Sequence, residues 1–175
     1  MTKTKNGAAK DVATFANLST LTHKYPQTMA LLNQSVADLY TAHVALHQVH
    51  WYMRGAGFMV WHPKMDEYME SLDGYLDEIS ERLITLGGAP YSTLAEFSAH
   101  SKIAEKPGRY SKDVKESLER VLEIYRYLAK LFAQGFEISD EEGDSVTNDI
   151  YNVAKADIEK TIWMLAAEVG QAPGI

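Results

Sequence analysis

Apolar side chains recur at three- and four-residue spacings through most of this chain, and the pattern stops only where glycine and proline interrupt it. That periodicity admits helices and little else. In residues 27–54 it is carried by Met29, Leu32, Val36, Leu39, Tyr40, Val44, Leu46, Val49 and Trp51. Pro26 stands at the start, where a missing N–H costs little, and Gly55 and Gly57 mark the end. A second helix is predicted from about Phe58 to Leu86, halted by Gly87-Gly88-Ala89-Pro90. A short helix over Thr93–Ala99 and a loop with Pro107-Gly108 come next. A third helix is expected over Ser111–Phe136, then a turn holding Asp140, Glu141, Glu142, Gly143 and Asp144, then a fourth helix from Ser145 to Val169. No segment alternates with a period of two, so there is no case for a sheet. The chain therefore reads as an all-α four-helix bundle with a short extra helix in the long connection between the second and third helices. That connection spans roughly 24 residues, which suits a crossover between parallel neighbours. Residues 1–25 read as a flexible tail and lead-in, 26–170 as the bundle, and 171–175 as a C-terminal tail.

Composition removes several classes of function. No apolar run reaches the length of a membrane span, and the polar N-terminus lacks the apolar stretch of a secretory signal. A cytoplasmic location is the expectation. With no cysteine, disulfides and thiolate metal sites are excluded. A net charge of −7 opposes binding to phosphate backbones and suits the gathering of cations. The N-terminal tail departs from this, with Lys3, Lys5 and Lys10 and no acid before Asp11. It reads either as a DNA contact or as a solvated tail, and the second reading is preferred.

Histidine and carboxylate positions point to a metal. His43, His47 and His50 fall at i, i+4 and i+7 on the first helix and share a face. On the second helix His62 and Asp66 are four apart, as are Asp77 and Glu81. Asp66 and Asp77 are separated by close to three turns, so the four lie on nearly one stripe. Imidazole and carboxylate without sulfur suit a hard or borderline divalent cation. Read on spacing alone, the same acids would also serve as a solvated helix face. Geometry then constrains the assembly, because the interval from Asp66 to Asp77 rises about 16 Å. One straight helix cannot wrap both pairs around one metal. Two copies crossing antiparallel about a two-fold axis near Ser71–Leu72 bring 62/66 of one chain opposite 77/81 of the other, twice. His50 is placed to fold back over the Gly55–Gly57 turn and join His62. A di-iron site inside one bundle uses Glu-x-x-His pairs, and no histidine here has Asp or Glu three residues before it.

These residues resemble a known family. The run His50-Trp51-Tyr52-Met53-Arg54-Gly55-Ala56-Gly57-Phe58, then His62, Asp66, Asp77-Glu78-Ile79-Ser80-Glu81-Arg82 and Leu86-Gly87-Gly88, is similar to the signature of the Dps miniferritins. Thr147-Asn148-Asp149 and Ile162-Trp163-Met164-Leu165 continue the likeness, which covers nearly the whole chain after residue 25. It is greatest to the Gram-positive members, the Dps-like peroxide resistance proteins of streptococci. The resemblance implies a ferritin-like bundle, two-fold dimers assembling into a hollow dodecamer, and ferroxidase sites at the dimer interface. It implies ligation by His50, His62 and Asp66 from one subunit and Asp77 and Glu81 from its partner. Hydrogen peroxide is the implied oxidant of Fe(II), ahead of oxygen, and the ferric mineral stays inside. Other divalent metals, such as zinc, would compete for the site. Acids matching Asp140 and Asp149, with Asp144 as a neighbour, line the family's three-fold iron-entry pore; at a helix start such acids also complement the dipole. Trp51 beside the site either packs over it, intercepts a radical, or is an ordinary interface aromatic. Trp61 and Trp163 read as packing. His43 and His47 lie outside the family set and read as hydrogen-bonded interface histidines or an auxiliary metal site; His23 and His100 read as ordinary.

Overall fold

A computed structural model of the chain describes residues 24–110 and 113–175. The Lys3, Lys5 and Lys10 tail and His23 lie outside the described residues. Among the described residues there are five helices: α1 (Pro26–Tyr52), α2 (Phe58–Thr85), α3 (Leu94–His100), α4 (Val114–Glu141) and α5 (Ser145–Glu168). No strand occurs among the described residues, so the all-α expectation holds.

Each helix starts and stops for a local reason. Pro26 opens α1, as expected. Gly57 sits at φ +88° at the start of α2, a left-handed conformation that side chains with a Cβ rarely adopt. Thr93 and Glu96 form a reciprocal capping box on α3. Asp113 caps α4 and Asp144 caps α5 through the backbone N–H groups of Glu116 and Thr147. The one sizeable boundary difference concerns α4, which continues past Phe136 through the acidic Glu137–Glu141 stretch and is capped at Glu142. Gly143, at φ +74°, supplies the stop.

The four long helices form a square. α1 packs along α2 and α4, and α5 packs along α4 and, more loosely, α2. The start of α1 meets the end of α4, where the carboxylate of Glu142 accepts from the backbone N–H of Gln27 and Thr28. α1 is thus antiparallel to α4 as well as to α2, and α2 and α4 run parallel. They are not neighbours, however. They face each other across the core diagonal through Tyr68 against Tyr125 and Tyr75 against Phe132. The crossover joins parallel elements, as expected, but diagonal ones.

Buried side chains from all four helices fill the centre, among them Leu32, Leu39, Leu46, Met65, Leu72, Ile79, Leu118, Leu122, Phe132 and Tyr151. Burying each contributes roughly 1.5–3 kcal/mol. At Gly135 a Cβ would stand 2.5 Å from the Tyr151 ring, so glycine there sets how closely α4 approaches α5. A buried carboxylate pins the crossover. Asp38 on α1 accepts from Gln34 Nε2, Ser101 Oγ, the Lys102 backbone N–H and Tyr127 Oη at 2.6–2.9 Å. At the C-terminus, the Arg126 guanidinium donates to the carbonyls of Ala172 and Pro173.

Candidate metal centre

The turn after α1 brings His50 and His62 together. A helix end leaves its last carbonyls without intrahelical donors. His62 Nδ1 takes one of them, the carbonyl of His50, at 3.0 Å, and His50 Nδ1 reaches the carbonyl of His62 at 2.9 Å. A carbonyl only accepts, so each bond requires a proton on Nδ1 and leaves Nε2 as a lone pair. This carbonyl-held tautomer is the arrangement that orients a metal-ligating imidazole. The two rings stack with centroids 3.7 Å apart, and Phe58 stacks on the far side of His62 at 4.7 Å. Asp66 Oδ1 lies 3.5 Å from His50 Nδ1, with the Asp66 side chain 62% exposed and His50 13%. The two histidines therefore form a pair held from behind, and the open Asp66 carboxylate approaches it on the Nδ1 side of His50.

Asp77 and Glu81 are exposed farther along α2. The chain does not bring them to His62 and Asp66. Among the described residues no group of three or more histidine or acidic side chains closes around a common point suited to a metal. One chain thus holds the His50–His62 pair with Asp66 beside His50 and, about three turns further along α2, the exposed Asp77 and Glu81.

Comparison with known proteins decides the family. Residues 29–175 match the ferritin-like domain model. The chain is 72% identical over 144 residues to the DNA protection during starvation protein of Streptococcus suis strain P1/7, spanning 82% of this chain and 84% of that one. The chain belongs to the ferritin-like Dps family. The corresponding Listeria monocytogenes Dps is 41% identical over 146 residues, covering 83% of this chain and 94% of the relative. Its X-ray structure superposes with a TM-score of 0.82 over 83% of this chain and 95% of that one. Listeria innocua Dps soaked with zinc gives a TM-score of 0.80 at 40% identity, over 83% of this chain and 98% of that one.

Other residues singled out from the sequence separate on this Dps scaffold. Asp140 and Asp149 are exposed around the α4–α5 turn. Asp144 is not available for a pore. It is 2% exposed, pairs with Arg82 Nη2 at 2.6 Å, caps Thr147 and accepts from its hydroxyl. Its place beside two exposed acids hid this role, because Arg82 is distant in sequence. Trp51 is 65% exposed in the single chain and stacks on His47 at 5.0 Å. Trp61 is partly buried and donates to Glu168, which fits packing. Trp163, also read as packing, is instead 56% exposed. His100 stacks on Tyr91. Asp38 was missed altogether; an acid between Val36 and Leu39 on an apolar stripe was the available signal.

No helix among the described residues is long and apolar enough to cross a membrane.

Proposed function

We propose that this Dps protein oxidises Fe(II), preferentially with hydrogen peroxide, at sites shared between two subunits, and stores the ferric product in a hollow dodecamer. The observation that carries the reading is the His50–His62 pair. Both rings are held through Nδ1 by the other's carbonyl, and the open Asp66 carboxylate lies 3.5 Å from His50 Nδ1. Asp77 and Glu81 of a two-fold partner complete the oxygen-rich half. Ring centroids 3.7 Å apart suit two adjacent cations, since paired metal ions in two-metal sites stand about 3.5–4 Å apart. Each imidazole would serve one ion while the carboxylates bridge or chelate.

Iron is the substrate here, and the balance is simple. Two Fe(II) each give one electron to one hydrogen peroxide, whose O–O bond breaks. With two waters the products are two FeO(OH) and four protons. Hard carboxylate oxygens favour the ferric product over the ferrous reactant, and consuming both reactants prevents their radical-forming reaction. Asp140 and Asp149 would form the acidic entry for cations. Zinc would compete for the same ligands, in keeping with the zinc- and cobalt-soaked crystals of the Listeria innocua relative. A cytoplasmic location fits this role.

Stopped-flow oxidation of Fe(II) by peroxide tests the reading. Replacing His50→Ala with Asp66→Ala should slow it by on the order of a hundredfold, the range reached when even the supporting partners of a metal ligand are lost. An unchanged rate rejects the site. The name of these relatives, DNA protection during starvation protein, favours a second reading, DNA binding through the Lys3, Lys5 and Lys10 tail. The acidic balance ranks it second. A salt-dependent gel shift with and without residues 1–10 separates the two.

A further inference from the structure

His43 and His47 lie on the same face of α1 as His50, yet take no part in the His50–His62 pair. Their rings meet edge to face, with centroids 4.7 Å apart and planes at 72°. Asp73 Oδ1, reaching over from α2, lies 2.7 Å from His43 Nδ1. Nδ1 of His47 is buried without a hydrogen-bond partner. Nδ1 of His43 is equally buried and has only the Asp73 contact, which is short but out of line for a hydrogen bond. With both Nδ1 atoms turned inward, Nε2 is the nitrogen each ring offers outward.

We propose that His43 and His47 chelate a borderline divalent cation of the zinc and copper class, at a second site on α1 distinct from the iron ligands. Histidines at i and i+4 on one helical face are a recurrent metal-binding pair. The separation fits. With metal–nitrogen bonds of 2.0–2.1 Å, a bound ion sits about 3.2 Å from each ring centre, and a 4.7 Å separation then sets an angle of about 95° at the metal. That is the angle of two cis ligands. Only two protein donors are present, so water completes the shell and the ion exchanges readily. Two imidazoles without a bridging carboxylate favour zinc or copper over ferric iron. Asp73, 2.7 Å behind the His43 ring, is a positioning residue that acts through its charge rather than through a hydrogen bond.

The test uses the full-length assembled protein carrying His50→Ala, His62→Ala and Asp66→Ala. This background lacks the iron ligands of the first site, so the result does not depend on the proposed ferroxidase function. Calorimetry with zinc alone should show about one ion per chain remaining, and copper should bind more tightly than zinc. Adding His43→Gln or His47→Gln should weaken zinc at least about tenfold, and Asp73→Asn, which leaves both rings in place, by roughly tenfold. Copper should quench the fluorescence of Trp51, which stacks on His47, and Trp51→Phe should remove that quenching. Zinc affinity unchanged by the Asp73→Asn and histidine replacements overturns the proposal, as does the absence of any zinc binding in the background protein.

Discussion

Asp38 and Asp144 sit inside the bundle with every carboxylate oxygen occupied. Asp66, Asp77 and Glu81 stand on the outer face of α2, exposed. Both groups are acids on long helices, and what separates them is what their charge is used for. The first satisfies donors that would otherwise be buried and unpaired: a tyrosine hydroxyl, an arginine, a helix start and a crossover backbone N–H. The second is exposed, with Asp66 touching only His50 Nδ1 at 3.5 Å, and under the proposed function its oxygens serve iron. Stability should therefore respond to the first group and iron chemistry to the second.

The largest stability effect is expected at Asp38. Asp38→Ala leaves Tyr127, Gln34, Ser101 and the Lys102 N–H without an acceptor, and should cost about 3–5 kcal/mol. Hydrogen exchange should show residues 101–103 released, and the melting temperature should fall. Burial and the Asp38 carboxylate together hold the Tyr127 phenol well above its ordinary pKa, so Asp38→Ala should also let it ionise at lower pH. Asp144→Ala comes next, at about 2–4 kcal/mol, through loss of the α5 cap and of a buried partner for Arg82. Denaturation monitored by circular dichroism reads it. Asp66→Ala and Glu81→Ala should shift stability by less than about 0.5 kcal/mol while slowing Fe(II) oxidation. If either unfolds the protein as readily as Asp38→Ala does, the contrast fails.

The smallest effect concerns Tyr75, which joins the two sets of helices by donating to Asp157 Oδ2 at 2.7 Å. Burial, reinforced by this bond to Asp157, raises its pKa from 10 to about 12. Folding thus favours the protonated phenol. That contribution is complete below pH 10 and is lost as pH rises towards about 12. Tyr75→Phe should flatten the alkaline decline in stability over that window, as read by melting at stepped pH.

Much of this contrast was legible before any coordinates. Periodicity and the Gly-Pro breakers placed the five helices of the described residues, because packing of apolar stripes follows the same spacing that the sequence shows. The stretch from Asp140 to Asp144 read as a turn and the helix was expected to stop at Phe136, although it runs to Glu141, since charge on a helix end and charge on a loop look alike along one dimension. The sequence proposed His50, His62 and Asp66 as ligands; the structure pairs the two histidines and sets Asp66 Oδ1 3.5 Å from His50 Nδ1. It did not show that each histidine would hold the other's carbonyl, which depends on the φ of the Gly55–Gly57 turn. Nor did it reveal Asp38 or the Arg82–Asp144 pair. Apart from the Gln34 bond to Asp38, those contacts join residues more than sixty positions apart, and nothing local marks an acid as buried except the apolar residues around it.

The central claim is that each iron site is made from two chains, and co-assembly of two inactive proteins tests it most directly. An Asp66→Ala chain and a Glu81→Ala chain are each expected to lack a complete site in homogeneous shells. When they are refolded together in equal amounts, half of the two-fold pairs are mixed, and one of the two sites in each mixed pair recovers all its ligands. Peroxide-driven Fe(II) oxidation should then return to about a quarter of the unsubstituted rate. Shells shown to contain both chains but to recover no activity would mean that Asp66 and Glu81 act within a single subunit, and the shared site would be wrong.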